Sequence, residues 1–327
     1  MRGRMGLIVL LTPLLLAGRC DDSPTGMGTP TPSPTLENLW PNADSASWDY
    51  ALHERIWGDY ETNLIVYPTP EEVPPAPTLD TVAALLEADT PATTLSEDDG
   101  IFSLRFDGEI TTGSGVTAQN LVEVVGWPRQ GIAARGDAGD ALLRRLLARR
   151  PDLRARATQL GLREAAGEPT PRDLIEPLFL HGYAWERTAA YIGTYGDLDQ
   201  LLAWKFLESD LAIGHEFSHQ LVPELADDIW LHARILSVGR VETPAGRFRK
   251  AVTCLYYLDY GVAGVTDEDP ESDAWARTLD VGTVTYAPNV GPVHSYERKF
   301  IAVGDGGLLG PGIGELEVSL TETNQER

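Results

Sequence analysis

His215-Glu216-Phe217-Ser218-His219 is the one string in this chain whose residue types and spacing spell out a reaction. On a helix, histidines at i and i+4 share one face and can bind a single zinc ion. The glutamate beside the first would then activate the bound water for hydrolysis. On a strand the same residues divide differently. Glu216, Ser218 and Gln220 point one way, and His215, Phe217, His219 and Leu221 point the other, a polar/apolar alternation. Gly214 and Pro223 bracket a segment of strand length, and Pro223 would end a helix one turn past His219. A helix from Asp197 through Val222 is the competing arrangement, with Leu198, Leu201 and Leu202 at helical spacing.

Only these few residues resemble zinc metallopeptidases. The elongated form of that motif has a third histidine six residues after the second, where Leu225 stands here. Relatives with a glutamate ligand carry it on a later helix, whereas Glu242 lies in a Thr-Pro-Ala-Gly turn. His232 and Asp228 are further ligand candidates that fit no zinc pattern. The expectation is therefore a strand and no cofactor. The alternative is a secreted zinc hydrolase with Glu216 as base and His215 and His219 as ligands.

Other strings carry less. Asp267 to Asp273 spaces carboxylates like a calcium loop, but Ser272 and Thr278 replace the glycine and closing glutamate such loops need. Gly113-Ser114-Gly115 lacks the longer nucleophile elbow and its helix. Of the two cysteines, Cys254 lies in an apolar run and reads as a buried, inert thiol.

The N-terminus supplies an address. Arg2 and Arg4 precede the apolar run Leu7–Ala17, which ends at Leu16-Ala17-Gly18-Arg19-Cys20. A basic start, a short greasy core and small residues before a cysteine form a bacterial lipoprotein export signal. Arg19 departs from the pattern, since such signals carry a small residue there. Residues 1–19 are then the signal peptide, and Cys20 is the lipidated first residue holding the protein to a membrane of the cell envelope. Residues 20–38 form a disordered tether of Pro, Thr, Ser, Gly and Asp. The formal net charge of -23 excludes nucleic acid as a partner and opposes binding of the whole body to anionic headgroups.

The folded part is expected over 39–322, with 323–327 as a tail. Strand signals recur at Trp48–His53, Ile101–Phe106, Glu109–Thr112, Val116–Val125, Ile229–Ile235, Phe248–Tyr260, Val281–Ala287, Val293–Ile301 and Leu316–Leu320. A helix over Leu79–Ala88 starts at the Thr78 cap. Residues 135–175 are rich in Ala, Leu and Arg and read as a helical pair split by Pro151. The six arginines between Arg144 and Arg156 are expected to form a solvated face, and the pair a surface insertion. The fold class is mainly β (α+β): a curved antiparallel sheet, half-barrel or sandwich, with an inserted helical pair.

Glu242-Thr243-Pro244-Ala245-Gly246-Arg247-Phe248, then Leu258-Asp259-Tyr260-Gly261, then Tyr286-Ala287-Pro288-Asn289-Val290-Gly291-Pro292-Val293 occur in that order. With Trp40-Pro41 and Trp48-Asp49-Tyr50, they resemble a broad group of uncharacterised bacterial β-sheet lipoproteins. The resemblance implies a curved antiparallel sheet and no chemistry. It leaves a non-enzymatic binding or structural role, toward an apolar ligand or another envelope protein.

Overall fold

Alternating apolar residues in the second half of the chain build most of one large sheet. The computed structural model describes residues 31–40, 46–105, 110–112, 116–118, 184–187, 190–195, 203–223, 225–265 and 274–325, with Leu147, Arg150, Leu153, Arg156 and Gln159. The export signal, Cys20, Gly113–Gly115, most of the 135–175 insertion and the Asp267–Asp273 loop lie outside these residues.

The strands are β1 (Ser47–Ile56), β2 (Ser96–Arg105), β3 (Ile110–Thr112), β4 (Val116–Ala118), β5 (Ala184–Arg187), β6 (Tyr191–Tyr195), β7 (Ala203–Glu208), β8 (Glu216–Gln220), β9 (Trp230–Thr243), β10 (Gly246–Gly264), β11 (Trp275–Ala287), β12 (Gly291–Ala302) and β13 (Gly314–Thr323). The helices are α1 (Leu36–Leu39), α2 (Tyr60–Asn63) and α3 (Leu79–Glu87). Eight strands form an antiparallel sheet in the order β2-β1-β13-β12-β11-β10-β9-β8, and five form a second in the order β3-β4-β5-β6-β7. The mainly β expectation holds.

The large sheet is buried on both faces at its centre, so β10 is mostly apolar from Ala251 to Tyr260, with little alternation. One face presents Tyr50, Phe217, Leu231, Cys254, Tyr256, Val284, Tyr286 and Val318, and Ile192, Phe206 and Leu207 of the small sheet join that cluster. The opposite face presents Leu255, Tyr257, Leu279, Val281 and Ile301, which α3 covers with Leu79 and Val82. Thr78 caps α3 by accepting from the Thr81 N–H, as the sequence predicts. The Tyr257 hydroxyl fixes the helix start by donating to the Pro77 carbonyl at 2.7 Å.

Curvature comes from bulges, which bend a strand and sharpen its twist. In β10, register shifts fall between Phe248 and Ala251 and between Asp259 and Val262. Lys250 (φ 55°) and Gly261 (φ 73°) sit in them. The sheet curls far enough for the β9–β10 turn to reach β13, where the Ala245 N–H donates to the Leu320 carbonyl at 3.0 Å. The TPAG turn and the YAPNVGPV turn therefore lie at one end of the sheet. Trp48 Nε1 donates to the Val290 carbonyl at 2.5 Å and the Tyr50 hydroxyl to that of Pro292 at 2.8 Å. Trp40 stacks on Trp48 with ring centres 6.0 Å apart.

Two sequence boundaries are corrected. Thr35 and Asn38 form a reciprocal cap, and Leu36 and Leu39 are buried, so the ordered body starts before residue 39. At the other end β13 runs through Thr323 rather than stopping at 322.

Candidate functional site

The HExxH segment is extended. Glu216–Gln220 form β8, paired antiparallel with β9 in the register Glu216↔Arg234 and His219↔Leu231. The strand expectation holds, and over its described part, 203–222, the competing helix is replaced by two strands, β7 and β8. Ala203 to Glu208 pair with β6, while Leu198, Leu201 and Leu202 lie outside the described residues.

The three motif side chains do not converge. Glu216 lies on the α3 side, where Arg234 binds it through Nε at 2.8 Å and bridges on to Asp80 at 2.6 Å. Both imidazoles lie on the other side. His215 Nε2 is 3.2 Å from Glu208 Oε2, and its Nδ1 is 3.5 Å from Asp210. His219 Nε2 accepts the Lys205 N–H of β7 at 3.0 Å. An extended chain sets i and i+4 about 13 Å apart, far beyond the span of two ligands on one zinc. Among the described residues no three His, Cys, Asp or Glu groups could hold a metal ion.

The position gives His219 a structural task. On the β7 edge, its ring accepts the Lys205 N–H and clasps the small sheet to the large one. Burial, then the charges of Lys205 and His232, lower its pKa to about 4, so the ring stays neutral and keeps the lone pair it needs. The other two candidates are separately engaged. His232 stacks on Tyr257 at 4.6 Å and shares a 2.9 Å hydrogen bond with Ser218. Asp228 receives Arg150 at 2.7 Å and the Val262 N–H at 3.1 Å.

Asp228 exposes a second correction. Arg150 is not on a solvated face: it is 5 % exposed and also donates to the Tyr260 carbonyl at 3.0 Å. Leu153 is buried in the main cluster, and Leu147 packs against it. Here the arginine serves a bulge. Gly261 is needed at that point, because a Cβ would meet Asp228 Oδ2 at 2.2 Å and Arg150 at 2.8 Å.

The sequence also hides buried charge on the face of the large sheet that carries Tyr256 and Val284. Glu297 and Lys299 are fully buried and ion-paired with each other. Asp280, also fully buried, accepts from the Tyr260 hydroxyl at 2.6 Å and from the Phe300 N–H at 2.8 Å. Phe300 has φ 60° and lies where the β11–β12 register shifts. Asp259 does similar work at the β10 bulge, accepting from the Gly261 N–H at 2.9 Å and pairing with Arg277. Burial raises its pKa to about 6 in spite of that pair. The buried carboxylates thus satisfy backbone groups that bulges free from the ladder, which an interior requires. Cys254 is buried and unpaired, with its pKa raised to about 12 by burial, the inert thiol expected.

No protein-family model matches the chain, and no curated protein matches it. Among solved structures it is similar to a candidate exported protein with a YmcC-like fold from Bacteroides fragilis NCTC 9343. That match has 9% identity and a TM-score of 0.36 over 88% of this chain and 99% of the other. It is also similar to a candidate lipoprotein from Parabacteroides distasonis ATCC 8503, with 10% identity and a TM-score of 0.34 over 88% of this chain and 98% of the other. Overlaps of this size do not establish a shared fold or function.

Proposed function

We propose that this chain is an exported, lipid-anchored protein of the bacterial cell envelope, with a binding or structural role and no catalysis. The observation that carries the reading is the division of the HExxH string across two faces of a strand, with Glu216 on one and both imidazoles on the other. The Arg-flanked apolar run ending at Cys20 supplies the address. The order of the TPAG and YAPNVGPV turns keeps the resemblance to β-sheet lipoproteins as part of the proposal. Ile192, Phe206 and Leu207 already cover the face that carries Tyr256 and Val284, which favours another envelope protein over an apolar ligand on that face.

Two measurements test the reading. Mass spectrometry of the membrane-extracted chain should find Cys20 as a diacylglyceryl-modified first residue, and Cys20→Ser should release the protein from the membrane fraction. An intact signal or an unmodified Cys20 would refute the anchor. Metal analysis should find zinc far below one per chain and unchanged by His215→Ala or His219→Ala. Stoichiometric zinc that His219→Ala removes would restore the hydrolase.

A further inference from the structure

We infer that the β9–β10 hairpin is the face of the domain that rests on the membrane, docking its basic bulge on anionic lipid headgroups. This rests on the lipid anchor proposed for Cys20. Four of the chain's 26 basic residues, Arg240, Arg247, Arg249 and Lys250, fall within eleven positions of an otherwise strongly acidic protein. All four are exposed.

The bulge concentrates them. β9 and β10 pair at Phe248↔Val241 and again at Ala251↔Gly239, so Arg240 lies opposite the looped-out Arg249 and Lys250. Arg247 is paired with Glu242 at 2.7 Å. Arg240, Arg249 and Lys250 remain around the bulge.

The second observation is where the chain arrives. Lys250 Nζ donates to the Thr31 carbonyl at 2.7 Å, and α1 hangs from the neighbouring turn, where the Asn289 N–H donates to the Asn38 carbonyl at 2.6 Å. The described N-terminal segment therefore begins beside the basic bulge. Cys20 is eleven residues upstream of Thr31. A chain of that length reaches at most about 40 Å. An acyl chain at Cys20 holds this end of the domain close to the headgroups.

The net charge of -23 does not forbid this contact. Screening confines electrostatics to about 8 Å at physiological salt, so the bilayer responds to the nearest charges and not to the whole body.

The test uses the mature lipidated chain carrying Ser237→Cys, labelled with a fluorophore beside the bulge, on vesicles containing headgroup-linked quencher. Vesicles are either pure phosphatidylcholine or contain one third phosphatidylglycerol. Quenching should be about threefold greater with phosphatidylglycerol, and should fall to the phosphatidylcholine level in high salt or in Arg240→Glu/Arg249→Glu. Circular dichroism of that variant should match the parent. Co-sedimentation reports the anchor separately. Chain that stays on the vesicles but is quenched equally on both lipids, or regardless of the two arginines, overturns the hairpin inference alone. Chain that leaves the vesicles overturns the anchor and the inference with it.

Discussion

Glu297→Ala should destabilise the domain by about 3–5 kcal/mol, because it removes the ion-pair partner of the Lys299 ammonium in a site with no solvent access. Lys299→Ala should cost a similar amount by removing the cation paired with the buried carboxylate. The two groups are i and i+2 on β12, so they share one face of the sheet. Gly282 makes room for them: a Cβ there would meet the Tyr296 carbonyl at 2.5 Å and Glu297 Cγ at 2.8 Å. Replacing both partners by Leu and Met should cost much less than the two alanine changes added together, since a buried ion pair is costly to desolvate in the first place. Urea unfolding followed by tryptophan fluorescence gives all the required values. A double replacement that costs as much as the sum would show that the pair is not coupled.

These charges also mark the limit of what the sequence discloses. Strand positions from Trp48, Ile229, Val281 and Leu316 onward are legible because one residue in two is apolar, and the HExxH segment is legible for the same reason. Val293–Ile301 is legible as a strand, but nothing in the pattern shows that its polar and charged residues lie buried in the middle of the sheet, between β11 and β13. Alternation reports the chemistry of a side chain, not whether another buried group neutralises it. Arg150 fails for a related reason. Its partners, Asp228 and the Tyr260 carbonyl, are 78 and 110 residues away, and the demand it meets arises only once Gly261 bulges. Ser96-Glu97-Asp98-Asp99-Gly100 likewise hides half of β2, which the sheet tolerates because β2 is an edge strand. The turns, in contrast, are written locally. Pro244, Asn289 and Gly291 specify turn backbone, and Asn289 and Gly291 have φ 64° and 95°. What cannot be read there is that Trp48 and Tyr50, more than two hundred residues earlier, would bond to that turn.

His219 and Asp259 should tilt the stability of the domain in opposite directions between pH 4 and 6.5. His219 has its pKa lowered from 6.5 to about 4 on folding. Between these values the unfolded chain holds more protons there, so its contribution is complete above pH 6.5 and is lost as pH falls toward 4. Asp259 has its pKa raised from 3.8 to about 6. The folded chain holds more protons at this site, so its contribution is complete below pH 3.8 and is lost as pH rises toward 6. Each shift is worth about 3 kcal/mol across its window, and the two largely offset each other. His232, whose pKa is also lowered, first by burial and then by Arg277, adds to the His219 direction. Single variants should uncover the opposition. In Asp259→Asn the stability gained between pH 4 and 6.5 should exceed that of the parent by about 3 kcal/mol. In His219→Gln, which keeps an acceptor for the Lys205 N–H, it should fall short by about the same amount. Urea midpoints at pH 4, 5 and 6.5 decide the matter. Profiles that run parallel to the parent would mean that neither group changes its proton affinity on folding. The His219 result bears on function as well: a ring kept neutral to clasp β7 is committed to holding two sheets together.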